Sequence, residues 1–162
     1  MVRGAGARGP EGRAANGDPV SLFAGEGRTQ LRQRYLEAWR KFTARQALEP
    51  LEAQLAAVIA EHPEYVPWLE AGEQALAAEF TPEGGRENPF LHMGLHLAIR
   101  EQVATDRPHG IAAVHQKLTK RLGDAHQAEH AMIEPLVQAL WEAQRSGREA
   151  DEQDYLERLR RL

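Results

Sequence analysis

Apolar side chains recur at helical spacing along most of the chain, and this pattern constrains the fold more than any other feature. Between residues 27 and 44, the stripe comprises Leu31, Tyr35, Ala38 and Phe42. These four residues share one face of a helix with about 3.6 residues per turn. Proline, glycine and asparagine separate such stretches, and no segment alternates apolar and polar residues as a strand does. The sequence therefore predicts an all-α fold, an irregular helical bundle of about five or six helices.

The length of the chain predicts one folded domain. A chain of 162 residues can form one hydrophobic core and is short for two. The first 19 residues are rich in glycine, alanine and arginine and lack a continuous apolar stretch, a composition typical of disorder. We therefore expect a disordered tail over residues 1–19 and a single helical domain over residues 20–162.

Charge and cysteine content narrow the classes of function. A net charge of -4 gives no global attraction to nucleic acid, and no window approaches the ~18 apolar residues of a membrane span. Because the chain has no cysteine, only His, Asp and Glu remain as metal ligands. We expect a cytoplasmic protein that binds neither nucleic acid nor a membrane. A protein partner and a homo-oligomer both remain open.

Two HxxxH motifs, HMGLH and HQAEH, lie on separate predicted helices. A rotation of about 100° per residue places all four imidazoles on apolar helix faces. Side chains four residues apart lie one above the other and can chelate one ion. If the two helices pack face to face, a nearby glutamate can act as an anionic ligand or as a hydrogen-bond acceptor. The predicted metal site comprises His92, His96, His126, His130, Glu134 and Glu129.

The donor set suits zinc, iron or manganese, and two other interpretations remain open. Haem or another flat cofactor could lie between the two helices, with one histidine from each as axial ligands. Alternatively, the imidazoles form a structural polar network inside a non-enzymatic helical adaptor. His62 could add a fifth nitrogen, although a histidine at that position more often caps the helix end. The sequence assigns no catalytic residue, because motifs for nucleophilic, phosphate-binding or dinucleotide chemistry are absent.

Several longer segments resemble a known family. They are ENPFLHMGLHLAIREQVATDRPHGI and GDAHQAEHAMIEPLVQALWEAQRSG, with EAWRK and HPEYVPWLE upstream. Together they closely resemble a bacterial family known as domain of unknown function 1841, over roughly residues 28–162. The resemblance implies an all-helical fold and transfers no reaction, because the family has no established activity. All four histidines of the HxxxH motifs lie inside the matching segments.

Overall fold

The computed structural model describes residues 27–80 and 87–162, and every regular element in these ranges is helical. The elements are α1 (Gly27–Thr43), α2 (Pro50–Ala60), a 3-10 turn (Pro63–Tyr65), α3 (Val66–Glu70), α4 (Glu73–Ala77), α5 (Pro89–Thr105), α6 (Ile111–Leu122), α7 (Ala125–Ser146) and α8 (Glu152–Arg160). The all-α prediction is therefore confirmed. The predicted tail, residues 1–19, lies outside the described residues. In the two described ranges, no helix combines the length and the apolar character that a membrane crossing requires.

The predicted number of five or six helices is too low, because the described residues contain eight. The difference arises between α2 and α5, where the sequence predicts only broken helical pieces. Pro63 and Pro67 each lie at the start of a short helical element, and Gly72, with a φ of 61°, turns the chain between α3 and α4. A proline lacks the amide that would continue a helix from the preceding turn. Helix formation therefore restarts in this segment and gives two α-helices of five residues each.

The sequence predicts helix caps at Asn88, which precedes Pro89, and at Asp124, which follows Gly123, and these caps fix the beginnings of α5 and α7. The side chain of Asn88 accepts hydrogen bonds from the next two free amides of α5, at 3.0 and 3.2 Å. Asp124 does the same for α7, at 2.6 and 3.1 Å. These bonds satisfy amides that have no partner inside the helix. Each cap therefore sets the register of the turn from which an HxxxH motif begins.

The fifth helix lies at the centre of the fold. Near its start, Phe90 and Met93 belong to a buried apolar cluster shared with α1, α2, α3 and α4. Further along, Leu95 and Ile99 belong to a second cluster shared with α6, α7 and α8. Because α5 packs against both α2 and α7, residues at the end of α2 lie close to the histidine-bearing faces of α5 and α7.

Candidate metal centre

Five histidine rings form one cluster where α2, α5 and α7 meet. Neighbouring ring centroids are between 4.4 and 5.9 Å apart. The face-to-face packing of α5 and α7 brings the two HxxxH motifs together, and the chain after α2 supplies one further ring. The members of this histidine cluster are His62, His92, His96, His126 and His130.

The closest nitrogen atoms of the cluster meet at His92. Its Nε2 lies 3.1 Å from the Nε2 of His130 and 3.2 Å from the Nε2 of His96. Together with His62, these residues each place one nitrogen within 4.8 Å of the others, an arrangement that could hold a metal ion. This group of four nitrogens therefore includes His62, whereas the four histidines that the sequence predicts as ligands include His126 instead.

His126 belongs to a second, overlapping group. It shares this group with His96 and Glu129, and the ligand atoms again lie within 4.8 Å of one another. The rings of His126 and His96 are stacked, with 3° between their planes. Glu134 is exposed and belongs to neither group among the described residues. Of the two glutamates that the sequence singles out, only Glu129 lies at the cluster.

Four of the five imidazoles are held through Nδ1 by an oxygen atom outside the cluster. The pairs are His62 with the Val58 carbonyl at 2.7 Å, His92 with Glu87 at 2.9 Å, His96 with Glu129 at 2.7 Å and His126 with Glu61 at 3.0 Å. Carbonyl and carboxylate oxygens can only accept hydrogen bonds, so each Nδ1 must carry the hydrogen. A neutral ring in this tautomer has a lone pair on Nε2.

Lone pairs therefore meet inside the cluster. In their neutral forms, His92 and His96 place two unshared pairs 3.2 Å apart, with no hydrogen between them. The Nε2 of His62 is buried and has no hydrogen-bond partner among the described residues. His130 differs because no oxygen of a described residue is paired with its Nδ1, so its Nε2 can donate a hydrogen to His92 or bind an ion. Metal-binding histidines show the same pattern, with one nitrogen free and the other donating to a carboxylate or carbonyl.

Arg100 joins two of the carboxylates that support the cluster. Its guanidinium donates to both oxygens of Glu129, at 3.0 and 3.1 Å, and also to Glu61. Burial pushes the pKa of Glu129 upward, but hydrogen bonds from His96 and Arg100 outweigh burial, and the pKa lies below its ordinary value. Glu129 is therefore ionised at neutral pH. Its oxygens are already used by two donors, which favours the role of acceptor over that of direct ligand.

Burial keeps three of the histidine rings neutral. It is the main cause that lowers the pKa of His130 to about 4, followed by repulsion from the neighbouring imidazoles. Burial is also the largest cause of the lowered pKa values of His62 and His92. Because only the neutral imidazole can bind a metal, these three rings are in the competent form at neutral pH.

The cluster is closed on one side and approaches solvent on the other. His62 and His96 are fully buried, whereas the side chains of His92 and His126 are 16% and 21% exposed. The carboxylates that hold the two more accessible rings, Glu87 and Glu61, are themselves exposed. A cation from solvent would therefore meet negative charge before it reaches the buried nitrogens.

Sequence reasoning undervalued His62 and missed the residues that support the cluster. The signal for His62 was its place on the apolar face of the predicted second helix. In the structure His62 follows the end of α2, and its ring both contacts the last turn of α2 through Val58 and lies in the cluster. Arg100 follows His96 by four residues and so lies on the same helix face. Glu61 directly precedes His62. Glu87 gave no periodic signal, because it precedes α5.

The fold and the site define a class: all-helical proteins with a buried cluster of histidines. The model of the family described as "Domain of unknown function (DUF1841)" matches residues 27–161, and the chain belongs to this family. The resemblance found in the sequence is thus confirmed. No curated protein and no solved structure matches the chain. The family description names no activity, so function must be argued from the site.

Proposed function

We propose that this protein binds one transition-metal ion through His62, His92, His96 and His130. The supporting observation is the tautomer pattern, in which outer oxygens occupy Nδ1 of three of these rings and leave the Nε2 lone pairs for an ion. Two of the nitrogen–nitrogen distances also fit. A tetrahedral ion with bonds of about 2.0–2.1 Å holds its ligand nitrogens about 3.3 Å apart. The Nε2 of His92 lies 3.1 Å from the Nε2 of His130 and 3.2 Å from the Nε2 of His96.

The donor atoms favour particular ions among zinc, iron and manganese. Imidazole nitrogen suits zinc and iron, whereas manganese prefers oxygen ligands. The four rings bring no charge of their own, so the positive charge of the ion is balanced by the carboxylates behind them, Glu87 and Glu129. Zinc and iron are therefore the ions that we expect the site to hold.

Two of the three remaining predicted residues, Glu129 and His126, have supporting places in the proposal. Glu129 orients His96 through its hydrogen bond, and His126 lies close enough to His96 to approach a further coordination position. Glu134 has no part, because it is exposed and outside both groups. An open coordination position is what catalysis by such an ion would require.

Two competing interpretations account for less of the geometry. A structural polar network in a helical adaptor is favoured by Trp141, which is 55% exposed on α7, but it leaves the lone pairs of His92 and His96 facing each other. A flat cofactor such as haem needs a gap between α5 and α7. The facing rings of these helices are in contact instead, with centroids 4.6 to 5.2 Å apart.

Elemental analysis by plasma mass spectrometry on untagged protein tests the proposal. We expect near-stoichiometric metal in the wild type and its loss in His96→Ala and His130→Ala. His109→Ala is the matched control, because the side chain of His109 is 98% exposed and lies outside the cluster. Failure of the freshly purified wild type to contain or take up zinc, iron or manganese would leave the histidines as a structural network.

A further inference from the structure

A second feature of the molecule lies away from the histidine cluster, in a cleft between α6 and the end of α8. The cleft has a volume of about 400 Å³, within the range of small-molecule sites. Its floor is apolar and consists of Val114, Leu118, Leu159 and Leu162. Two of these, Leu118 and Leu159, are fully buried members of the core, so the floor is held rigidly.

The charged side chains at the rim of this cleft are all positive. Lys117, Arg121 and Arg160 line it, and no acidic residue does. All three are exposed, and none forms an ion pair with a described residue. By contrast, Arg158 on the same helix α8 is paired with Glu142. The cleft therefore has a local positive charge, although the net charge of the chain is -4.

Gly110 allows one of these cations to lie across the mouth of the cleft. Gly110 has a φ of 104°, and a Cβ atom there would lie 3.3 Å from Nη2 of Arg160. The absence of a side chain thus lets the guanidinium rest against the beginning of α6. The carboxylate of Asp106 accepts hydrogen bonds from the amides of Gly110 and Ala112. Within the described ranges, no carboxylate is paired with Arg160, so its donors are free for a ligand.

We propose that this cleft binds an amphipathic carboxylate, a fatty-acid-like molecule with a single apolar chain. The chain would lie on the apolar floor, where Val114 and Leu162 are partly exposed above the buried Leu118 and Leu159, and the carboxylate would accept charge-assisted hydrogen bonds from the cationic rim. Each methylene removed from water raises affinity about three- to fourfold. Affinity should therefore depend both on chain length and on the sign of the head group. This site shares no residue with the histidine cluster, so the proposal of carboxylate binding does not depend on the proposal of metal binding.

Titration calorimetry with the full chain tests the proposal, with dodecanoate as the probe below its micellar concentration. We expect saturable binding of one dodecanoate per chain and weaker binding of octanoate. We expect no binding of dodecyltrimethylammonium, which has the same chain and the opposite charge. Comparable binding of the cationic amphiphile, or no saturable binding of dodecanoate, would overturn the proposal.

Charge reversal on α6 supplies the matched variants. Lys117→Glu should weaken dodecanoate binding at least about tenfold, because the residue lines the cleft. Lys120→Glu changes the same charge on an exposed residue of the same helix that does not line the cleft, and it should change affinity less than about threefold. Arg160→Glu, on α8, should also weaken dodecanoate binding and is an independent second variant. Equal effects of Lys117→Glu and Lys120→Glu would show general electrostatic attraction and refute a specific site.

Discussion

Replacement of His62 by leucine should have different effects on the metal-free and the metal-bound protein. His62 is 1% exposed, its Nδ1 donates to the Val58 carbonyl, and its Nε2 has no partner among the described residues. Leucine removes a buried nitrogen without a partner, which costs about 1–3 kcal/mol, but it leaves the carbonyl of buried Val58 without its hydrogen bond from Nδ1, at a similar cost. Leucine is of similar size. The two costs nearly cancel, so the metal-free variant should match the wild type in stability to within about 1 kcal/mol.

The metal-bound protein should respond differently. An ion present at about 100 times its dissociation constant stabilises the folded state by about 2.7 kcal/mol. If loss of one of four ligands weakens binding about 100-fold, only about 0.4 kcal/mol of that stabilisation remains. His62→Leu should therefore lose about 2 kcal/mol of metal-dependent stability while its metal-free stability is kept.

Urea denaturation with and without a chelator measures both quantities. His115→Leu is the control, because the Nε2 of His115 is also buried without a partner but lies outside the histidine cluster. Its effect on the free energy of unfolding should be the same with and without metal. Our reasoning would be refuted if His62→Leu destabilised the metal-free protein by more than about 2 kcal/mol. It would also be refuted if metal stabilised that variant as much as the wild type.

Three further predictions follow from the supporting contacts. Glu129→Gln removes the negative charge behind His96 and should weaken metal affinity about 10- to 100-fold; competition with a chelating dye measures this, and an unchanged affinity would argue against the supporting role. Because burial, and then repulsion between imidazoles, lowers the pKa of His130 from 6.5 to about 4, the unfolded chain takes up its proton first as the pH falls. The free energy of unfolding of the metal-free protein should therefore fall between about pH 6.5 and about pH 4. The loss is at most about 3 kcal/mol, and solvent screening makes it smaller. A free energy of unfolding that stays constant over that range would contradict this prediction. Asn88→Ala removes the cap of α5 and should cost about 0.5–2 kcal/mol in urea denaturation, whereas an unaffected midpoint would mean that the cap is unimportant.

Local sequence signals predicted the parts of the fold that depend on local interactions. Asn88 before Pro89 and Asp124 after Gly123 predicted the starts of α5 and α7, because a cap is formed by residues a few positions apart. The short helices α3 and α4 were predicted only as broken helical pieces without defined ends. Helices of five residues are too short to be stable alone, and these two pack against α1. Such tertiary contacts are not visible in a periodic pattern.

Prediction of the candidate site from the sequence was limited in the same way, because tertiary contacts are not visible in the sequence pattern. Helical periodicity placed both HxxxH motifs on apolar faces, and the structure brings them together. Periodicity does not show which other helix end approaches them, so His62 received less weight than its central position warrants. It also does not show the direction in which a carboxylate points. Glu129 lies at the cluster and Glu134 is exposed, although both are close to His130 in sequence.

X-ray absorption spectroscopy at the metal edge of the loaded protein tests the central claim most directly. We expect a first shell of nitrogen atoms at about 2.0–2.1 Å, with the outer scattering of about four imidazole rings. The His62→Leu variant should show a shell with one imidazole fewer. A first shell made mainly of oxygen, with fewer than two imidazoles in both proteins, would contradict an ion held by the histidine cluster.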